Sequence, residues 1–138
     1  MSPAKSDWRS SCPLNIATEV FGDRWSLLIL RDLIFKRLST YKEFQESDEG
    51  IATNILANRL KYLQEQRIIA RERSPDDARV ICYRPTMKGL DLLPLMIEMI
   101  LWADQYEDTA APAKIIRCLK HDREAFIAEI RKQFANAE

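Results

Sequence analysis

The stretch from Ser39 to Gln66 constrains the fold most, because it spells two helices joined by a very short polar turn. Ser39 or Thr40 can cap a short helix carrying Tyr41 and Phe44, and Glu43, three residues beyond Thr40, completes a capping box. Ser47-Asp48-Glu49-Gly50 has turn chemistry. Thr53 is then placed to cap a second helix in which Leu56, Leu60 and Leu63 recur at i, i+4 and i+7. Those leucines must be buried, so the outward face carries Asn54, Ala57, Asn58, Lys61, Tyr62 and Glu65, with Arg59 on a shoulder.

The flanking segments decide what this pair packs against. Residues 1–11 are polar apart from Trp8 and are expected to fray. A helix is expected from about Leu14 to Phe21, with Pro13 tolerated in its first turn. Gly22 ends it, and Asp23 can cap the next, from Arg24 to about Phe35. Trp25, Leu28, Ile29 and Leu33 form its main inward stripe, widened by Leu27, Leu30 and Ile34. After Gln66 the period changes. Ile68 and Ile69 open one extended segment and Val80 to Arg84 form another, with a Ser-Pro-Asp-Asp turn between Arg73 and Arg79, so the two make a hairpin.

Pro85 and Thr86 end the hairpin and start a long helix with Leu90, Leu93, Ile97 and Leu101 at helical spacing; Pro94 either kinks it or lies in its early turns. Leu92, Leu95, Met96, Met99, Ile100 and Trp102 add apolar surface on its other sides. A helix apolar nearly all round must be buried nearly all round, and a domain this small covers only one face. The other face is expected to meet a second subunit. Residues 106–111 read as a loop, and 112–136 as helix with Phe126, Ile127, Ile130 and Phe134 as a packing stripe.

The expected fold is therefore mainly α with a small β-hairpin wing, a dimeric winged helix-turn-helix. Residues 12–108 would form its DNA-binding and dimerisation domain, after a flexible segment 1–11 and before a helical extension 109–138. At 138 residues the chain has room for one such domain and little more. Its longest greasy stretch, Leu92 to Ala103, is too short to span a bilayer and is interrupted by Glu98, and no secretory signal follows Lys5 and Arg9. A cytoplasmic protein without a membrane partner is expected. Cys12, Cys82 and Cys118 form no CxxC pair, so neither a disulfide framework nor a metal site is indicated, and the lone His121 lies among charged residues at an expected surface position. With no paired carboxylates, nucleophile–base set or phosphate loop, an enzyme is not indicated and no cofactor is expected.

Charge points toward a polyanion. The net charge is zero, yet residues 51–90 hold 8 Lys/Arg against 4 Asp/Glu, between flanks that are net acidic. This basic middle contains the outward helix face. Asparagine amides can donate and accept at an adenine edge, alanine permits close approach, and lysine or arginine reaches phosphate or guanine. Thr53, Asn54 and Asn58 are the expected groove contacts, with Lys61 and Tyr62 on the backbone and Arg59 beside them. Arg71, Arg73 and Arg79 of the wing can meet phosphates or enter the minor groove, leaning toward DNA while Asp76 and Asp77 point away. The expected partner is double-stranded DNA, bound by a homodimer at pseudo-palindromic sites. A second reading, a protein-interaction module that keeps the winged fold, draws on the zero overall charge.

Several separated motifs in one order carry a resemblance. They begin at Cys12-Pro13, run through Gly22-Asp23-Arg24-Trp25-Ser26-Leu27-Leu28-Ile29-Leu30-Arg31-Asp32-Leu33 and Phe44, and resume at Gly50-Ile51-Ala52 and Leu56-Ala57-Asn58-Arg59-Leu60-Lys61-Tyr62-Leu63. They close with Tyr83-Arg84-Pro85-Thr86-Met87-Lys88-Gly89 and Trp102. Over roughly residues 12–103 the chain resembles the HxlR-type regulators, relatives of the broader MarR-like winged-helix family. The resemblance implies a homodimeric repressor or activator that dimerises through its first and last core helices. On this chain those helices offer Leu14 from the first and Met96, Met99, Ile100, Trp102 and Ala103 from the last. It also implies, for some members, a response to electrophiles, aldehydes, quinones or oxidants through a cysteine near the first helix, here Cys12, where helix N–H groups face the thiol; Arg9 and Arg24 are the nearby cations in sequence. Cys82 is expected to pack. Two departures stand out: Ala52-Thr53 where the group often has Ser-Pro, with Thr53 still able to cap, and Arg67 where a glycine commonly precedes the wing. Arg67 calls for a different turn geometry or adds a phosphate contact.

Overall fold

The computed structural model describes residues 7–135. The chain divides into two compact units, one running to Arg84 and the other starting at Pro85.

The first unit opens with α1 (Pro13–Phe21) and α2 (Ser26–Ile34). Of the segment expected to fray, residues 1–6 lie outside the described residues, whereas Arg9 and Ser10 are tied to α1. The Arg9 N–H donates to Glu19 Oε2 at 2.9 Å, and Asn15 Nδ2 donates to the Ser10 carbonyl at 3.4 Å. Asp23 does cap the second helix, accepting from the Trp25 and Ser26 N–H groups at 2.9 and 3.0 Å, but regular helix begins two residues later than Arg24. The stripe also rotates from the expected one. Leu30 and Ile34 are fully buried with Ile29 and Leu33, while Trp25 and Leu28 are only half-buried.

The short α3 (Tyr41–Gln45) has the expected capping box, Thr40 and Glu43 each accepting from the other's end of the turn. Gly50 closes the polar turn with φ of 67°, a left-handed conformation that costs a residue without Cβ nothing. Arg31 staples this turn to α2, its guanidinium bridging the buried Asp32 and Glu49 at 2.8 Å each. In α4 (Thr53–Glu65), Leu56, Leu60 and Leu63 are buried as the spacing requires. Thr53 does not cap it. The cap position is Ala52, which has no side-chain acceptor, and Thr53 is already helical, where its carbonyl accepts from the Tyr41 hydroxyl at 2.9 Å.

The end of α4 forms a Schellman turn: Ile68 N–H reaches the Leu63 carbonyl at 2.9 Å and Arg67 N–H the Gln64 carbonyl at 3.0 Å. Arg67 supplies the left-handed residue, φ 63°, so the arginine keeps the geometry glycine would give rather than changing it. The wing follows as β1 (Ile69–Arg73) and β2 (Ile81–Pro85), paired as a two-stranded hairpin. Val80 lies in the turn rather than in the strand, where its carbonyl accepts from Ser74 N–H at 2.8 Å. The Tyr83 N–H donates to the Ser39 carbonyl at 2.7 Å, tying β2 to the entry of α3.

The second unit corrects the long helix expected from Thr86. A single turn, α5 (Met87–Leu90), capped by Thr86, precedes α6 (Leu93–Tyr106). Pro94 explains the break: it lacks an N–H and its ring crowds the carbonyl four residues back, so it can stand only in the first turn of α6. The tail is likewise two helices, α7 (Ala113–His121) and α8 (Arg123–Ala135), parted at Asp122. Ile116, Leu119 and Ile130 are its buried residues, whereas Phe126, Ile127 and Phe134 are half-buried. Since α6 packs on α7 and α7 on α8, the helix from Leu93 and the tail lie in the same compact unit.

Candidate nucleic-acid interface

Burial of the three leucines turns the opposite side of α4 to the outside. Thr53, Asn54, Ala57, Asn58 and Lys61 are all exposed and follow one another at helical spacing. At the wing side of this face lies an open groove of about 450 Å³, lined by Tyr41, Ala57, Lys61, Gln64, Arg71 and Tyr83 among others. Two cations from different elements, Lys61 of α4 and Arg71 of β1, thus border one channel. From the sequence the two were expected to meet the DNA backbone from separate elements, and Tyr41, Gln64 and Tyr83 were not expected beside them. Their convergence depends on how the wing folds back on α4, which no periodicity encodes.

Arg59 and Tyr62, also expected on the DNA surface, are engaged within the protein. Arg59 lies 3.4 Å from Asp23 and its guanidinium sits 4.5 Å from the centre of the Tyr62 ring. The Tyr62 hydroxyl donates to the Glu19 carbonyl at 3.1 Å, at the end of α1. Both are half-buried, so the shoulder of α4 is committed to the α1–α2 corner. Burial opposes the charge of Asp23. The Ser26 hydroxyl, the Trp25 and Ser26 N–H groups and the Arg59 cation outweigh it and hold the carboxyl below its ordinary range. Burial pushes the Tyr62 hydroxyl upward, so it stays a protonated donor. Arg59 also donates to Asn58 Oδ1 at 2.9 Å, which orients that amide and turns its Nδ2 the other way.

The wing arginines divide as well. Arg71 is exposed at the groove. Arg73 donates to the Ala78 carbonyl at 2.7 Å within its own turn. Arg79 is held by Asp77, with Nε and Nη2 at 3.1 and 3.0 Å from its two oxygens, and Asp77 also accepts from the Arg79 N–H. Asp77 thus holds Arg79 within the wing turn. That pairing lowers the Asp77 carboxyl and raises Arg79.

Cys12 is exposed at the cap position of α1, and Cys82 and Cys118 are half-buried free thiols. Arg24, one of the cations close to Cys12 in sequence, lies 5.0 Å over the Trp25 ring and 3.8 Å from Glu49. His121 is exposed, as expected. Of the apolar residues assigned to dimerisation, Leu14 is 75% exposed, Trp102 67% and Met99 50%, while Ile100 and Ala103 are half-buried. Met96 is only 5% exposed: it is an interior residue and drops out of that set. No helix among the described residues is long and apolar enough to cross a membrane.

The family model for the HxlR-like helix-turn-helix matches residues 20–111, which span α2, α3, α4, the wing and α6. The chain belongs to the HxlR-like helix-turn-helix family. It is 33% identical over 96 residues to the HTH-type transcriptional regulator YodB of Bacillus subtilis (strain 168), covering 69% of this chain and 85% of that protein. The crystal structure of PA1607, described as a candidate transcription factor, is similar with a TM-score of 0.68 at 35% identity, over 78% of this chain and 74% of that one. The reduced form of YodB matches with a TM-score of 0.59 at 33% identity, over 72% and 97%. The fold is thus a winged helix-turn-helix, and this HxlR-like chain is a transcriptional regulator rather than an enzyme.

Proposed function

We propose that this regulator binds specific duplex DNA as a homodimer in the cytoplasm, reading bases with Thr53, Asn54 and Asn58 and gripping the backbone with Lys61 and Arg71. The observation that carries the reading is the separation of faces on α4: three buried leucines on one side, and an exposed polar face bordered by a two-cation groove on the other. An adenine edge asks for a donor and an acceptor together, which Asn54 can supply, whereas Asn58, its oxygen already engaged by Arg59, offers chiefly its donor. Arg73 and Arg79 contribute only once they exchange their wing-turn partners for phosphates.

The apolar residues left exposed, Leu14 on α1 and Met99 and Trp102 on α6, support a partner subunit, because large greasy side chains in such number on a small chain call for cover. We place dimerisation within residues 12–108 and treat 109–138 as an extension of that domain. A symmetric dimer predicts two protected half-sites about one DNA turn apart in a footprint. Protection of one half-site only, at concentrations where sedimentation shows a monomer, would contradict the dimer.

For the signal, we propose a thiol-reactive effector acting at Cys12. It is the exposed cysteine of the three, and a relative that is 34% identical, YodB, has been crystallised bound to quinone. DNA affinity measured before and after quinone or diamide treatment tests this: loss in the native protein and none in Cys12→Ser is expected. An equal response in the serine variant would reject Cys12.

A further inference from the structure

We propose that α7 carries a second, sequence-independent contact to the DNA backbone through Lys114, Arg117 and Lys120. The inference rests on the DNA binding proposed above and adds a surface to it. Residues 109–121 contain these three cations and no Asp or Glu, directly after the acidic Asp104, Glu107 and Asp108. Averaged over the C-terminal third, this charge disappears; mapped on the helix, it is concentrated.

Packing fixes which way it points. Ile116 and Leu119 are buried, so Lys114, Arg117 and Lys120 are turned out and all three are exposed. They form an i, i+3, i+6 row about 9 Å long at 1.5 Å per residue, a length over which one DNA strand advances by two to three phosphates. Nothing among the described residues pairs with them. Among the described residues none of the three lies within 4.0 Å of a carboxylate, whereas the neighbouring Arg123 and Arg131 pair with Glu98 and Asp91. The helix dipole favours Lys120, in the last turn of α7, but disfavours Lys114, in its first turn, so helix stability does not account for the row as a whole. Free cations in a row fit a polyanion, and the polyanion such a regulator meets is duplex DNA. All of α7 and α8 also lie beyond the family-matched residues 20–111, so the row is an addition to the shared core.

The test is the full-length triple variant Lys114→Gln, Arg117→Gln, Lys120→Gln, because glutamine keeps helix propensity while removing charge. Affinity is measured for a duplex carrying a selected site and for a scrambled duplex of equal length, across about 50 to 200 mM salt. The expected result is a loss of about tenfold or more on both duplexes, with a salt slope shallower by about 0.9 for each phosphate contact removed. Circular dichroism should superimpose on that of the native protein, and Lys132→Gln, an exposed cation of α8 outside the row, should leave the slope unchanged. Native-like binding by the triple variant, a loss confined to the selected site, or an equal effect of Lys132→Gln would each overturn the proposal. A native protein that holds neither duplex would remove the DNA-binding reading itself, and this one with it.

Discussion

The Tyr62 hydroxyl of α4 donates to the main-chain carbonyl of Glu19 at 3.1 Å, joining the shoulder of that helix to the end of α1 across 43 residues of sequence. With Arg59 over the same ring and paired to Asp23, this contact ties α4 to the α1–α2 corner, and we expect it to orient the helix. Tyr62→Phe keeps the ring and removes the bond. We expect a stability loss of about 1 kcal/mol in urea unfolding, with a weaker DNA complex of unchanged salt slope. A shallower slope would show that the hydroxyl touches phosphate instead.

The turn after α4 gives an opposite prediction. Arg67 holds φ 63°, a conformation that costs a residue bearing Cβ about 1 kcal/mol relative to glycine. Arg67→Gly is expected to raise stability by up to that amount, measured as a shift of the urea midpoint at constant m. An unchanged or lower midpoint would mean that the arginine's own contacts outweigh the backbone relief.

How much of this was legible beforehand follows from which features are local. The Thr40–Glu43 box, the leucine face of α4 and the hairpin depend on neighbours within a few residues, and each is where the pattern put it. Asn54, Asn58 and Lys61 are outward for the same reason. Arg59 and Tyr62 looked equally suited to DNA because spacing gives a residue's angle on its helix, not the identity of whatever lies at that angle. Their partners, Asp23 and Glu19, sit on other elements. Met96 was misplaced likewise: a helix apolar on every side does not reveal which side its own chain covers.

Acid should weaken the short helix that precedes the turn. Glu43 accepts from the Ser39 and Thr40 N–H groups at 2.8 and 3.1 Å, and these bonds hold its carboxyl below the ordinary 4.5. A depressed folded value means that its stabilisation is present above that ordinary value and is lost as pH falls through the folded one. Glu43→Gln retains an acceptor without the titration. The fall in melting temperature below pH 4.5 should therefore be shallower in the variant, and identical pH profiles would contradict the assignment.

The wing tip restrains its own arginine. Asp77→Asn keeps an oxygen for the Arg79 N–H while weakening the grip on its guanidinium, so DNA affinity should rise severalfold. Asp76→Asn removes the same charge one residue away, outside the pair, and separates release of Arg79 from simple loss of repulsion. Equal gains from the two variants would assign the whole effect to charge.

The central claim is that the exposed face of α4 reads DNA sequence, and unbiased selection of genomic fragments by the purified protein at low salt tests it most directly. The native protein should enrich fragments sharing a pseudo-palindromic motif. The Asn54→Ala, Asn58→Ala variant should lose that preference, at about 1–3 kcal/mol for the bidentate contact of Asn54 and less for the single donor of Asn58, while still holding DNA nonspecifically. Recovery of no fragment, or of the same motif by native protein and variant alike, would contradict it.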